Sequence, residues 1–129
     1  YLLMAGSTHH MQSRFTNGEI TVTYADGSYE KLELRNPENW WPIEQDYYSD
    51  GLAFTIDAAR PLRVHLKTGK ITLEPYGVLS RNKPIHIEGG AASVLDLPLD
   101  SSKQLRELQL ETTANDVVIG LMGITLATE

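Results

Sequence analysis

The 129-residue sequence contains no cysteine. That excludes disulfide frameworks, thiolate metal sites and cysteine nucleophiles, while leaving the cellular compartment open. Runs of lysine or arginine are missing as well: eleven basic residues face seventeen acidic ones, for a formal net charge of −6. Such a chain repels a phosphate backbone or an anionic membrane on average, so neither nucleic acid nor membrane is expected as a partner. The longest apolar run, Val117 to Leu126, is interrupted by Gly120, Gly123 and Thr125. It falls well short of the ~20 residues a membrane-spanning helix needs. Long amphipathic helical periodicity, internal repeats and low-complexity linkers are also lacking. Among chemical motifs there is no GxSxG, no GxxxxGK and no GxGxxG, and the four histidines show no zinc spacing.

What the sequence does have is alternation of period two, punctuated by turn residues. Ile20, Val22 and Tyr24 alternate with Glu19, Thr21 and Thr23, and Asp26 and Gly27 then mark a turn before Leu32 and Leu34. An odd-length loop there pairs Val22 with Leu32 and Ile20 with Leu34. Leu62, Val64 and Leu66 precede a second turn at Thr68 and Gly69, where a two-residue loop pairs Leu66 with Ile71 and Val64 with Leu73. Alternation also puts His65 and His86 on solvent faces. Leu95, Leu97 and Leu99 read as a half-buried strand whose Pro98 suggests an edge or a bulge. A turn near Leu105 leads into a strand carrying Leu108 and Leu110. Val117 to Leu126, apolar on both faces, reads as a central strand covered on both sides. Eight or more short strands at this spacing imply an all-β fold, a jelly-roll β-sandwich of two antiparallel sheets. The length suits one domain, residues 1–129, and the opening Tyr1-Leu2-Leu3-Met4 reads as though cut from a longer polypeptide.

The densest chemistry lies in NPENWWPIEQDYY, Asn36 to Tyr48, where four aromatics and three carboxylates share thirteen residues. If the segment is extended, Trp41, Ile43, Gln45 and Tyr47 share one mostly apolar face, expected in the core. Trp40, Glu44, Asp46 and Tyr48 share the other. Those four are the candidate ligand-binding residues, with rings to stack on a sugar or dock a neighbouring domain and carboxylates to accept hydroxyl hydrogen bonds. Glu44 and Asp46 are also the pair a glycosidase would use, since that chemistry needs two carboxylates flanking the scissile bond. No other residue suggests catalysis. No cofactor is expected, and the acidic spacing of an EF-hand calcium loop is absent.

The ending LDLPLDSSKQLRELQLETTANDVVIGLMGITL, Leu95 to Leu126, resembles the closing strands of galactose-binding-like jelly rolls attached to bacterial glycoside hydrolases. YLLMAGSTHHMQSRF, VTYADGS and NPENWWPIEQDYY resemble the opening of the same sandwich, in a family of large glycosidase-like proteins carrying a domain of unknown function. The resemblance implies a noncatalytic accessory domain of an exported, periplasmic or extracellular protein, and, as in such jelly rolls, a structural calcium ion for which Asp46, Asp50 and Gly51 would be the ligands. The domain's partner would be an upstream catalytic domain of the same polypeptide, and glycan a further one. An autonomous carbohydrate-binding module is the alternative, and a small hydrolase using Glu44 and Asp46 a third.

Overall fold

The computed structural model describes residues 1–8, 14–46, 59–74, 76 and 85–128. Within them the chain forms strands β1 (Leu2–Thr8), β2 (Thr16–Tyr24), β3 (Tyr29–Arg35), β4 (Gln45–Asp46), β5 (Leu62–His65), β6 (Ile71–Thr72), β7 (Ile85–His86), β8 (Ala91–Leu95), β9 (Leu105–Thr112) and β10 (Val117–Ile124). A five-stranded sheet runs β10-β1-β8-β5-β6, a three-stranded sheet runs β3-β2-β9, and β4 pairs with β7 in a small third ladder. All pairings are antiparallel. This is the two-sheet, all-β sandwich that the alternation implies. Among the described residues, no helix is long and apolar enough to cross a membrane.

The core lies between the two large sheets. Leu2, Met4, Leu95 and Val117 from the five-stranded sheet meet Ile20, Val22, Tyr24 and Leu34 from the three-stranded one, with Trp40 among them. Trp40 packs closely on β1 at Gly6, where a Cβ would come 3.0 Å from Cζ3 of the indole and 2.5 Å from the Val118 carbonyl oxygen of the neighbouring strand. Only glycine leaves the indole that room.

The first hairpin has the odd loop, but its partners differ from the expected ones: Ile20 faces Leu32, and Val22 faces Glu30. The Tyr24 N–H donates to the Ser28 carbonyl, closing a three-residue loop centred on Asp26, with Gly27 at φ 86° in its last position. Because the shift is two residues, each side chain stays on its expected face.

The second hairpin departs further. Val64 pairs with Ile71, and the Leu66 N–H leaves the ladder to bond the Gly90 carbonyl, so the loop is longer than two residues. The faces of β5 are also exchanged. Arg63 points inward and is 0% exposed, His65 is half-buried on the same side, and Leu62 is exposed. The solvent-facing placement of His65 is therefore corrected, whereas His86 is exposed as expected. β8 ends at Leu95, so Leu97 and Leu99 pack against the core from an irregular segment. Among the described residues β10 is an edge strand, not a central one, and Val118 and Met122 on it are exposed.

Two carboxylates brace turns in the same way. Asp26 Oδ1 accepts from the N–H and hydroxyl of Ser28, at 2.9 and 2.6 Å. Asp100 Oδ1 accepts from the N–H and hydroxyl of Ser102, at 3.0 and 2.6 Å. In each, the serine hydroxyl is the main cause, followed by the serine N–H, of a carboxyl pKa held below its ordinary 3.8. The sign follows from linkage: a carboxylate whose pKa is depressed by folding adds stability above its unfolded pKa, and that contribution fades as pH falls through the folded value. Carboxyl carbon NMR titration is expected to place both midpoints below 3.8. Ser28→Ala should return Asp26 alone toward that value, and an unmoved midpoint would refute the assignment.

Candidate functional site

The aromatic segment is not a strand through its two tryptophans. Residues 36–39 form a turn and 40–42 are irregular, with Pro42 interrupting any ladder, so neighbouring side chains are not obliged to point to opposite faces. Both tryptophans are buried. Trp40, 1% exposed, enters the core, where its indole N–H donates to Asn17 Oδ1 at 3.2 Å. The same oxygen accepts the Asn36 N–H at 2.8 Å, and Asn36 Nδ2 donates to the Trp40 carbonyl. Trp41 is buried as well, its indole N–H donating to the Pro37 carbonyl at 2.9 Å. The core placement expected of Trp41 agrees. The exposed ring expected of Trp40 does not: its faces are enclosed by the sandwich and none is open to stack on a sugar.

Beyond Pro42, backbone bonds stitch the segment to β1 and β8, two neighbouring strands of the five-stranded sheet. The Ile43 N–H donates to the Gly6 carbonyl, and the Ile43 carbonyl accepts from Ala91. Glu44 is half-buried, with Oε1 accepting from the Ser7 hydroxyl at 2.9 Å. Asp46, at the end of β4, is enclosed and its side chain is 0% exposed. Arg60 Nη2 lies 3.0 and 2.9 Å from its two oxygens, Arg63 Nη1 lies 3.6 Å from Oδ1, and the Tyr76 N–H donates to Oδ2 at 2.8 Å.

Arg63 completes a buried cross-link. Its Nη2 donates to the carbonyls of Pro42 and Ala91, each at 2.8 Å. The guanidinium carbons of Arg60 and Arg63 sit 5.2 and 5.7 Å from the centroid of the Trp41 ring. Two cations thus share one carboxylate and one indole ring, a geometry in which dispersion and cation–π attraction add to the ion pair. Beside the cluster, Tyr76 packs against His65 with ring centroids 5.5 Å apart, and burial pushes its phenol pKa up. His65, Lys67, Tyr76, His86 and Glu88 line an open depression of about 420 Å³ there.

No family model, curated protein or solved structure matches this chain. What the site can do is therefore read from its chemistry alone. The oxygens of Asp46 are taken up by Arg60, Arg63 and a main-chain N–H, so Glu44 and Asp46 do not present paired carboxylates to a common cleft. The same engagement makes Asp46 a poor calcium ligand, since a metal ion would have to displace two guanidiniums. Among the described residues no three histidine, aspartate or glutamate side chains gather as a metal site. Tyr47, Tyr48, Asp50 and Gly51 lie outside the described residues. Sequence reasoning missed Arg60, Arg63 and Tyr76. The one available signal was the pair of arginines three residues apart, and alternation assigns the second of them to solvent.

Proposed function

We propose that this chain is a noncatalytic accessory β-sandwich that docks onto another domain of a glycoside-hydrolase-like polypeptide. The observation that carries the reading is the outer face of the five-stranded sheet. Leu62, Val94 and Leu3 lie side by side across β5, β8 and β1, and Val64 and Ile71 pair on β5 and β6. The core claims the inward residues Leu2, Met4 and Leu95, so alternation turns this second apolar set away from the sandwich interior. Leu62, Ile71 and Leu73 are 37, 62 and 58% exposed. Apolar rows on a sheet face mark a surface that a partner covers. The opening strand takes part in the patch, as docking requires, while Trp40 has no share in it.

The test compares Leu62→Asp/Ile71→Asp with the parent sequence. In the isolated chain the change is expected to alter stability by no more than about 0.5 kcal/mol, as for other exposed positions. In the longer polypeptide it should accelerate limited proteolysis between the sandwich and its neighbour. The isolated chain should also release no chromophore from aryl glycosides. Turnover by the isolated chain, or identical proteolysis of variant and parent, would count against the reading.

A further inference from the structure

Among the described residues four strands end the two large sheets, and three of them are guarded. β3 carries Glu30, Lys31, Glu33 and Arg35, β9 carries Arg106, Glu107 and Glu111, and β6 is two residues long. Charges and short length are the usual devices that keep a sheet edge from pairing with another chain. β10 has neither. It runs eight residues, Val117–Ile124, and no charged residue occurs from Val117 to Thr128.

The free side of β10 can be identified from its pairing. Gly6 faces Ile119 across the β1–β10 ladder, yet the Gly6 carbonyl accepts from Ile43, on the far side of β1. The N–H and C=O of a strand residue point the same way, so Gly6 and Ile119 form a non-hydrogen-bonded pair. The main-chain groups of Ile119, and by alternation those of Val117 and Leu121, are directed away from β1. Among the described residues β1 is the sole strand neighbour of β10. The one irregularity in the ladder lies beyond Leu121, between the pairings of Leu121 and Gly123, so the run from Val117 to Leu121 is regular.

We infer that β10 is a pairing edge for a second copy of this chain. Antiparallel pairing about a two-fold axis at Ile119 sets Ile119 against Ile119 of the second copy, as a hydrogen-bonded pair. Val117 then faces Leu121 of the other copy, also a hydrogen-bonded pair, so every outward N–H and C=O of the run finds its counterpart. On the outer face, the exposed Val118 lies against Gly120, where a bulky partner would be crowded. Two chains of formal charge −6 repel at long range, but this edge brings no like charges together. What favours a second copy is the make-up of the edge itself: uncharged along its length and with Gly120 opposite Val118 in the two-fold register, it meets its own copy without like-charge contact or crowding on the outer face.

Sedimentation of the chain from micromolar to submillimolar concentration tests the inference. A reversible monomer–dimer equilibrium is expected, and Val118→Lys, at a position 69% exposed, should raise its dissociation constant at least tenfold without unfolding the domain. Hydrogen exchange gives a second readout: protection of the Val117, Ile119 and Leu121 amides should rise with concentration, while Val118 and Gly120, bonded to β1, stay unchanged. A monomer at every concentration would overturn the inference. So would a dimer that tolerates Val118→Lys but is lost in Leu62→Asp/Ile71→Asp.

Discussion

Asp46→Ala is expected to remove about 3–5 kcal/mol of stability, read as a lower denaturant midpoint with unchanged slope. The carboxylate is the anion that Arg60 and Arg63 share, and Arg63 is wholly enclosed. Its loss leaves two guanidiniums facing one another beside Trp41. Against a total of about 5–15 kcal/mol for a domain, that loss brings the protein close to unfolding at room temperature. The companion change Arg63→Met separates charge from packing. It preserves much of the volume and leaves Asp46 its contact with Arg60, so a smaller loss than that of Asp46→Ala is expected. If Asp46→Ala costs less than about 1 kcal/mol, the level of an exposed pair, the cluster does not hold the fold together as described.

Trp40→Ala is expected to cost about 3–5 kcal/mol, the range for deleting a large aromatic from a core. The indole touches both sheets, and its removal also leaves Asn17 Oδ1 with one donor fewer in the interior. Trp40→Phe keeps most of the ring and loses the N–H donor, so about 0.5–1.5 kcal/mol is expected, the net worth of one hydrogen bond. Thermal unfolding followed by circular dichroism would rank the two. A sugar platform predicts the opposite outcome: unchanged melting of Trp40→Ala and a selective loss of glycan binding.

The parts of the fold legible in the sequence are those where one face is buried and the other wet. In β2, Ile20, Val22 and Tyr24 are all core, and β9 follows its turn as read. Alternation failed in β5 because the sheet there is apolar on its outer face and ionic within. Leu62 and Val64 look like core residues and Arg63 like a surface one, yet a guanidinium with a buried carboxylate and two carbonyl acceptors is stable inside. Nothing local to Arg63 announces Asp46, seventeen positions earlier. The candidate site failed for a related reason. An even-and-odd division of the aromatic segment presumes a strand, whereas residues 36–39 turn and 40–42 run irregularly with both tryptophans buried. β10 was misread because an apolar run is the same whether a second sheet or nothing lies along its side.

β1 lies between β10 and β8 in the five-stranded sheet, and its partners come late in the chain: Leu2 pairs with Leu95 on one side and with Ile124 on the other. During synthesis the β2–β3 hairpin can form as soon as it emerges, since its contacts are local. β1 must wait for nearly the whole of the remaining sequence. Closing such distant contacts is slow, on the order of milliseconds to seconds for sandwiches of this kind. Through that interval Leu2, Leu3 and Met4 stay unpaired on the nascent chain, and transiently exposed apolar strands of this kind are where a slow-folding sandwich is prone to aggregate.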